Sequence, residues 1–186
     1  MRLFTGLALS PGAVSRICET LRPLKGQTRL QWSPPENLHI TIKFLGNCPA
    51  EQFPAIVEAI RKVPAPGSLT VEITGIRALP SLLAPRVLYA GVRAPAALYR
   101  FAGEMDLAVS AVGIPRETRA YTPHVTLARV KPGQSIDPIR PALRQLEGAK
   151  FGSFETSDFQ LYLSRPAPGG SLYEILETFP LGLQVN

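Results

Sequence analysis

The sequence predicts an α+β fold made of two related lobes in one body. Two observations predict it. Strand and helix signals run in the order βαβαβ twice along the 186 residues, and a shift of 85 positions lays the first set on the second. The chain's only two histidines, His39 and His124, are themselves 85 residues apart. That period exceeds any solenoid repeat, so the expectation is a single domain over residues 1–186, its two lobes intertwined and meeting near residues 80–86.

The elements follow in order. Leu3, Phe4, Leu7 and Leu9 mark a buried strand over residues 2–9. Pro11 suits the first turn of a helix, and Val14, Ile17, Cys18 and Leu21 carry its apolar stripe to about Leu24. Residues 38–45, LHITIKFL, are β-branched and apolar, a strand closed by Gly46. Phe53, Ile56, Val57 and Ile60 place a helix over 49–63, and Leu69, Val71 and Ile73 alternate in a strand over 69–79. The second set begins with a strand over 86–92. A helix after Pro95 carries Leu98, Phe101, Ala102, Met105 and Val109. A strand over 121–130, a short helix over 138–146 and strands over 154–163 and 172–181 complete the chain.

Composition narrows the class. Forty-five per cent hydrophobic residues supply a core, which argues against disorder, and no apolar run reaches the ~18–20 residues of a membrane span. The net charge of +6 favours an anionic partner. Fifteen of the 20 basic residues are arginine, whose planar fork suits phosphate. Cys18 and Cys48 form no C-x-x-C pair and stand at no ligand spacing from a histidine, so two free thiols are expected. The apolar stretch from Leu3 to Leu9 is interrupted by Thr5 and Gly6 and stopped by Pro11, too short for a signal peptide. The expected location is therefore the cytoplasm.

The two histidines open the tetrapeptides His39-Ile40-Thr41-Ile42 and His124-Val125-Thr126-Leu127, both H-x-T-x with aliphatic x. In a strand, residues two apart share a face. His39 therefore sits with Thr41 and His124 with Thr126, while the aliphatic residues point to a core. If the lobes pack with pseudo-two-fold symmetry, the motifs meet. A single such motif reads most simply as a half-buried histidine beside a common strand former. Two of them at the duplication period read as a site.

Two imidazoles without a nearby cysteine or carboxylate leave a metal short of ligands, so no metal and no cofactor are expected. No G-x-S-x-G elbow is present. Paired histidines suit in-line displacement at phosphorus, one as general base on the incoming oxygen and one as general acid on the departing oxygen. The threonine hydroxyls and arginines would hold the non-bridging oxygens.

On these residues the chain resembles the two-histidine (2H) phosphoesterases of the LigT kind, the RNA 2′,3′-cyclic phosphodiesterases also called 2′-5′ RNA ligases. The resemblance begins at Arg2-Leu3-Phe4 and runs through Trp32 and Leu38 to Gly46. It recurs from Pro123 to Arg129, and ends with Leu161-Tyr162-Leu163-Ser164 and Gly170-Ser171-Leu172-Tyr173-Glu174. It implies motifs on facing antiparallel sheets across a central cleft, with helices outside. It also implies metal-independent opening of 2′,3′-cyclic phosphate ends of RNA to a 2′-phosphate, and joining of tRNA halves by the reverse reaction. A monomer is the default expectation. By resemblance His124 is the base for water and His39 the acid for O3′.

The supporting candidates are Thr41, Thr126, Arg129, Phe44 and Tyr121. Arg129 lies five residues after His124, so on a regular strand it faces away and would reach a phosphate only around the strand end. Tyr121 and Arg119 could line the cleft mouth. Phe44 and Trp32 could stack a base, although core packing is the plainer reading of Phe44. Lys43 would serve a phosphate or be solvated. Two other readings share these features: a 2H phosphodiesterase acting on a small nucleotide or 2′-5′ oligonucleotide, and an RNA-binding module without turnover.

Overall fold

A computed structural model of the chain describes residues 1–168 and 170–182. The described residues form nine antiparallel strands and four α-helices. The strands are β1 (Arg2–Ala8), β2 (Gln31–Trp32), β3 (His39–Asn47), β4 (Leu69–Leu79), β5 (Val87–Arg93), β6 (His124–Arg129), β7 (Lys150–Thr156), β8 (Asp158–Ala167) and β9 (Gly170–Pro180). The helices are α1 (Pro11–Lys25), α2 (Phe53–Arg61), α3 (Ala96–Ser110) and α4 (Arg140–Gln145). β1 and β5, and likewise α1 and α3, start and stop 85 residues apart, so the expected duplication extends to element boundaries.

The sheet order is β7-β4-β5-β6-β3-β1-β8-β9, with the short β2 beside β6. It reads as two half-sheets, β3-β1-β8-β9 and β6-β5-β4-β7, joined into one curled sheet by the single pair Ile40–Val125. These two residues are duplicates of each other, so the join lies on the pseudo-two-fold axis. The two sheets expected to face each other are thus continuous, and the motif strands are neighbours.

The first half of the sequence lends β4 to the half-sheet of β5 and β6, and the second half lends β8 and β9 to the half-sheet of β1 and β3. β4 pairs with β5 and β7, whereas its duplicate β8 pairs with β1 and β9. Residues 80–86 consequently connect β4 and β5, two strands of the same half-sheet. The single strand read over 154–163 is two strands. The chain leaves β7 in one half-sheet, turns at Ser157, where the carbonyl accepts the Leu181 N–H, and enters β8 in the other. Alternation continues through that point, so periodicity alone does not show the change of partner.

The core lies between the sheet and the helices. α3 packs on β3 and on α2, α1 against β7, and α4 against β4. Ser10 caps α1 by accepting the Ala13 N–H at 3.3 Å, with Pro11 in the first turn. Ile40, Val125 and Leu127 are fully buried, each contributing about 1.5–3 kcal/mol by leaving water. Among the described residues no helix is long and apolar enough to cross a membrane. Cys18 and Cys48 are both free thiols.

Candidate active site

The antiparallel pair Ile40–Val125 sets the register of the two motifs. It brings Thr41 opposite His124 and His39 opposite Thr126, with all four side chains on the face away from Ile40 and Val125. The two histidines are then diagonal neighbours, about 7–8 Å apart by ladder geometry.

Each ring is held by the backbone two residues before it. His39 Nδ1 lies 2.7 Å from the Asn37 carbonyl and His124 Nδ1 2.8 Å from the Thr122 carbonyl. A carbonyl only accepts, so Nδ1 carries the proton in both rings, and Nε2 is the atom free to exchange one. His39 Nε2 lies 3.0 Å from the Thr41 hydroxyl, which donates to it while the ring is neutral.

The surroundings of the two rings differ. His39 sits among Phe4, Tyr162 and Tyr173, with ring centroids at 4.7, 5.8 and 5.3 Å. A Cβ on Gly6 would stand 3.3 Å from His39 Cδ2 and 2.9 Å from the Ile40 carbonyl oxygen, so only glycine lets the ring settle on β1. Burial pushes His39 down from 6.5 to about 4; the Asn37 carbonyl opposes this and neighbouring His124 adds to it. His39 is therefore neutral at neutral pH. Among the described residues one aromatic ring stands against His124, that of Tyr89, edge-on at 5.5 Å.

A β-bulge in each motif strand decides what else shares this face. Lys43 pairs with Thr5 and Thr41 with Gly6, leaving Ile42 as the extra residue of β3. Ala128 pairs with Leu88 and Thr126 with Tyr89, leaving Leu127 as the extra residue of β6. Ile42 and Leu127 are duplicates, so both motifs carry the same bulge. Each bulge inverts the alternation beyond it. Phe44, 57% exposed, returns to the His39 face beside Phe4, and exposed Arg129 returns to the His124 face. Core packing of Phe44 and an outward Arg129, both expected from a regular strand, are thus corrected.

The same inversion turns Lys43 inward. It is 7% exposed and bonds Asp106 of α3 at 2.7 Å and the Pro115 carbonyl at 2.9 Å, so it is neither solvated nor available to a phosphate. Burial alone would raise Asp106, but hydrogen bonds from Lys43, the Glu117 N–H and Arg116 hold its carboxyl below the usual range. Tyr121 spends its hydroxyl on the Thr41 carbonyl at 2.9 Å, and burial raises its pKa well above the ordinary range. Its place is a strap between the motifs rather than the cleft mouth. Arg119 is 91% exposed beside Glu117. Trp32 packs on the core and pairs with Ala128.

Sequence reasoning missed the partners on the strands next to the motifs. Phe4 and Gly6 on β1 and Tyr89 and Gly91 on β5 are duplicates 85 residues apart, and each pair flanks one histidine. The period that found the histidines also marks these positions. Among the described residues no three His, Cys, Asp or Glu side chains come together as metal ligands.

Paired histidine–threonine motifs, side by side on a duplicated antiparallel sheet, define a two-histidine phosphoesterase. Residues 8–89 and 92–173 each match the family described as LigT like Phosphoesterase, one copy per half, and the chain belongs to that family. It is 30% identical to an Archaeoglobus fulgidus protein named RNA 2′,3′-cyclic phosphodiesterase, over 96% of this chain and 99% of the relative. A Thermus thermophilus protein of the same name is 31% identical, over 97% and 90% of the two chains. The crystal structure of TT0787 from Thermus thermophilus has a TM-score of 0.76 and 28% identity, covering 97% of this chain and 98% of that one.

Proposed function

We propose that this protein hydrolyses 2′,3′-cyclic phosphate ends of RNA to 2′-phosphates, with His39 and His124 as the two proton carriers. The observation that carries this reading is the Ile40–Val125 register, which sets two Nε2 atoms and two threonine hydroxyls on one face. Relatives named RNA 2′,3′-cyclic phosphodiesterase support the substrate.

A water oxygen attacks phosphorus as the P–O3′ bond breaks. One imidazole takes the water proton at Nε2 and the other gives a proton to O3′, so protons balance over the turnover. Thr41, Thr126 and Arg129 hold phosphate oxygens, and Phe44 offers a face to the terminal base. For His39 to act as the acid, the bound anionic phosphate must favour its protonated form, since the free ring is neutral. Free Cys18 and Cys48 fit a cytoplasmic location, and the protein works as a monomer on RNA ends such as those of tRNA halves.

The test is incubation with a cyclic-phosphate-ended oligonucleotide in excess EDTA, followed by analysis of the product end. A 2′-phosphate is expected. An inert protein, a 3′-phosphate product, or activity restored only by a metal would overturn the reading.

A further inference from the structure

We propose that Arg77 contacts the substrate, its guanidinium holding a non-bridging oxygen of the phosphate beside His124; the inference rests on the cyclic-phosphate reading above. Arg77 reaches this place through a third bulge. Thr74 pairs with Gly91 and Ile76 with Ala90, which leaves Gly75 extra at φ +58°, a left-handed conformation that favours glycine. Beyond it Arg77 lies opposite Tyr89 on β5, and Tyr89 in turn lies opposite Thr126 on β6. The arginine therefore shares the face of the second motif.

Its guanidinium leans toward the histidine. Gly91 is the residue of β5 paired with His124. A Cβ built on Gly91 would stand 3.6 Å from Arg77 Nη1, 3.6 Å from Thr74 Oγ1 and 3.0 Å from the Thr74 carbonyl oxygen. Over this glycine a guanidinium and a hydroxyl converge. Over its duplicate Gly6 the corresponding space holds the His39 ring. Arg77 is exposed, and among the described residues it makes no hydrogen bond and no ion pair. Glu72, the acidic residue of the same strand, pairs with Arg93 instead.

A planar fork of unspent donors beside a proton-carrying imidazole matches two oxygens of a phosphate. Arg129 lies five residues beyond His124 on β6, whereas the Arg77 guanidinium leans over Gly91, the residue paired with His124.

The test compares the wild type, Arg77→Gln and Arg77→Lys on a 2′,3′-cyclic mononucleotide, on the two isomers of its cyclic phosphorothioate, and on a cyclic-phosphate-ended oligonucleotide. The isomers differ in which non-bridging position carries sulfur. Arg77→Gln should lower kcat/KM about 10²-fold and flatten the wild-type preference between the isomers about tenfold, with Arg77→Lys intermediate. Thermal melting should be unchanged, because the side chain is exposed. A loss of rate with the isomer preference intact, or no loss at all, would overturn the assignment. So would a loss confined to an oligonucleotide substrate, which would move Arg77 to a flanking phosphate. A wild type inert on every cyclic phosphate would instead sink the cyclic-phosphate reading.

Discussion

The two half-sheets repeat the same backbone and furnish it differently. Positions 44 and 129 are duplicates that a shared bulge turns toward the site; one is Phe44 and the other Arg129. Positions 162 and 77 are duplicates on the next strands but one. Tyr162 stacks on Phe4 at 4.8 Å, and Arg77 leans over Gly91. The half around His39 is thus aromatic and enclosing, and the half around His124 is cationic and open. Backbone register sets where a proton can move, and the side chains on the duplicated frame set which part of a nucleotide each half receives.

The sharpest way to break the comparison is to remove each histidine. His39→Ala and His124→Ala should each lower kcat by about 10²–10⁴-fold, measured on a cyclic-phosphate substrate, with the fold intact by circular dichroism. If one variant keeps near wild-type rates, the halves do not share the chemistry and the two-histidine mechanism fails.

A stability difference comes next. Lys43 is buried against Asp106, whereas its duplicate is Ala128. Asp106→Ala strands an ammonium in the core and should cost about 3–5 kcal/mol in urea unfolding. The exposed pair Arg93–Glu72 of the other half is worth about 0–1 kcal/mol, so Glu72→Ala is the control. Equal effects from the two would mean that Lys43 escapes to solvent.

The threonines should matter less than the histidines, because they hold the phosphate without moving a proton. Thr41→Val and Thr126→Val keep the branched shape. Each should lower kcat/KM by about tenfold, on the scale of one lost hydrogen bond to a charged group. Thr41 also donates to His39 Nε2, so its variant alone should disturb the His39 titration. Unchanged kinetics at both positions would exclude the hydroxyls from the phosphate site.

The smallest effect is the most diagnostic. With only two histidines in the chain, the His39 ring is readily assigned by NMR. The His39 midpoint should lie about 4, and a bound nucleoside 2′-phosphate should raise it as the protein takes up a proton. The unfolded chain binds this proton near 6.5 and the folded one near 4, so the contribution to stability is present above pH 6.5 and is lost as pH falls toward 4. A midpoint that stays about 4 in the complex would remove His39 from the acid role.

The site centre was legible in the sequence because strand alternation and an 85-residue period act on local, countable features. His39, Thr41, His124 and Thr126 needed nothing more. Element positions were legible for the same reason: residues 69–79 match β4 at both ends. Phe44 and Arg129 could be named as candidates, but not oriented. A bulge is an extra residue relative to a partner strand, and the partner is not in the local sequence. The fates of Lys43 and Tyr121 were hidden likewise, since Asp106 and the Thr41 carbonyl come to them through the fold.

The sequence by itself determined the duplicated α+β pattern and the four residues at the site's centre, because alternation and repetition are properties of one chain read in order. Only the tertiary structure decided that the motif strands lie side by side in one sheet, that β4 and β8 cross between half-sheets, and that His39 is neutral while an arginine covers Gly91. Those outcomes depend on which strands hydrogen-bond and which side chains exclude water, and such pairings join residues far apart in sequence.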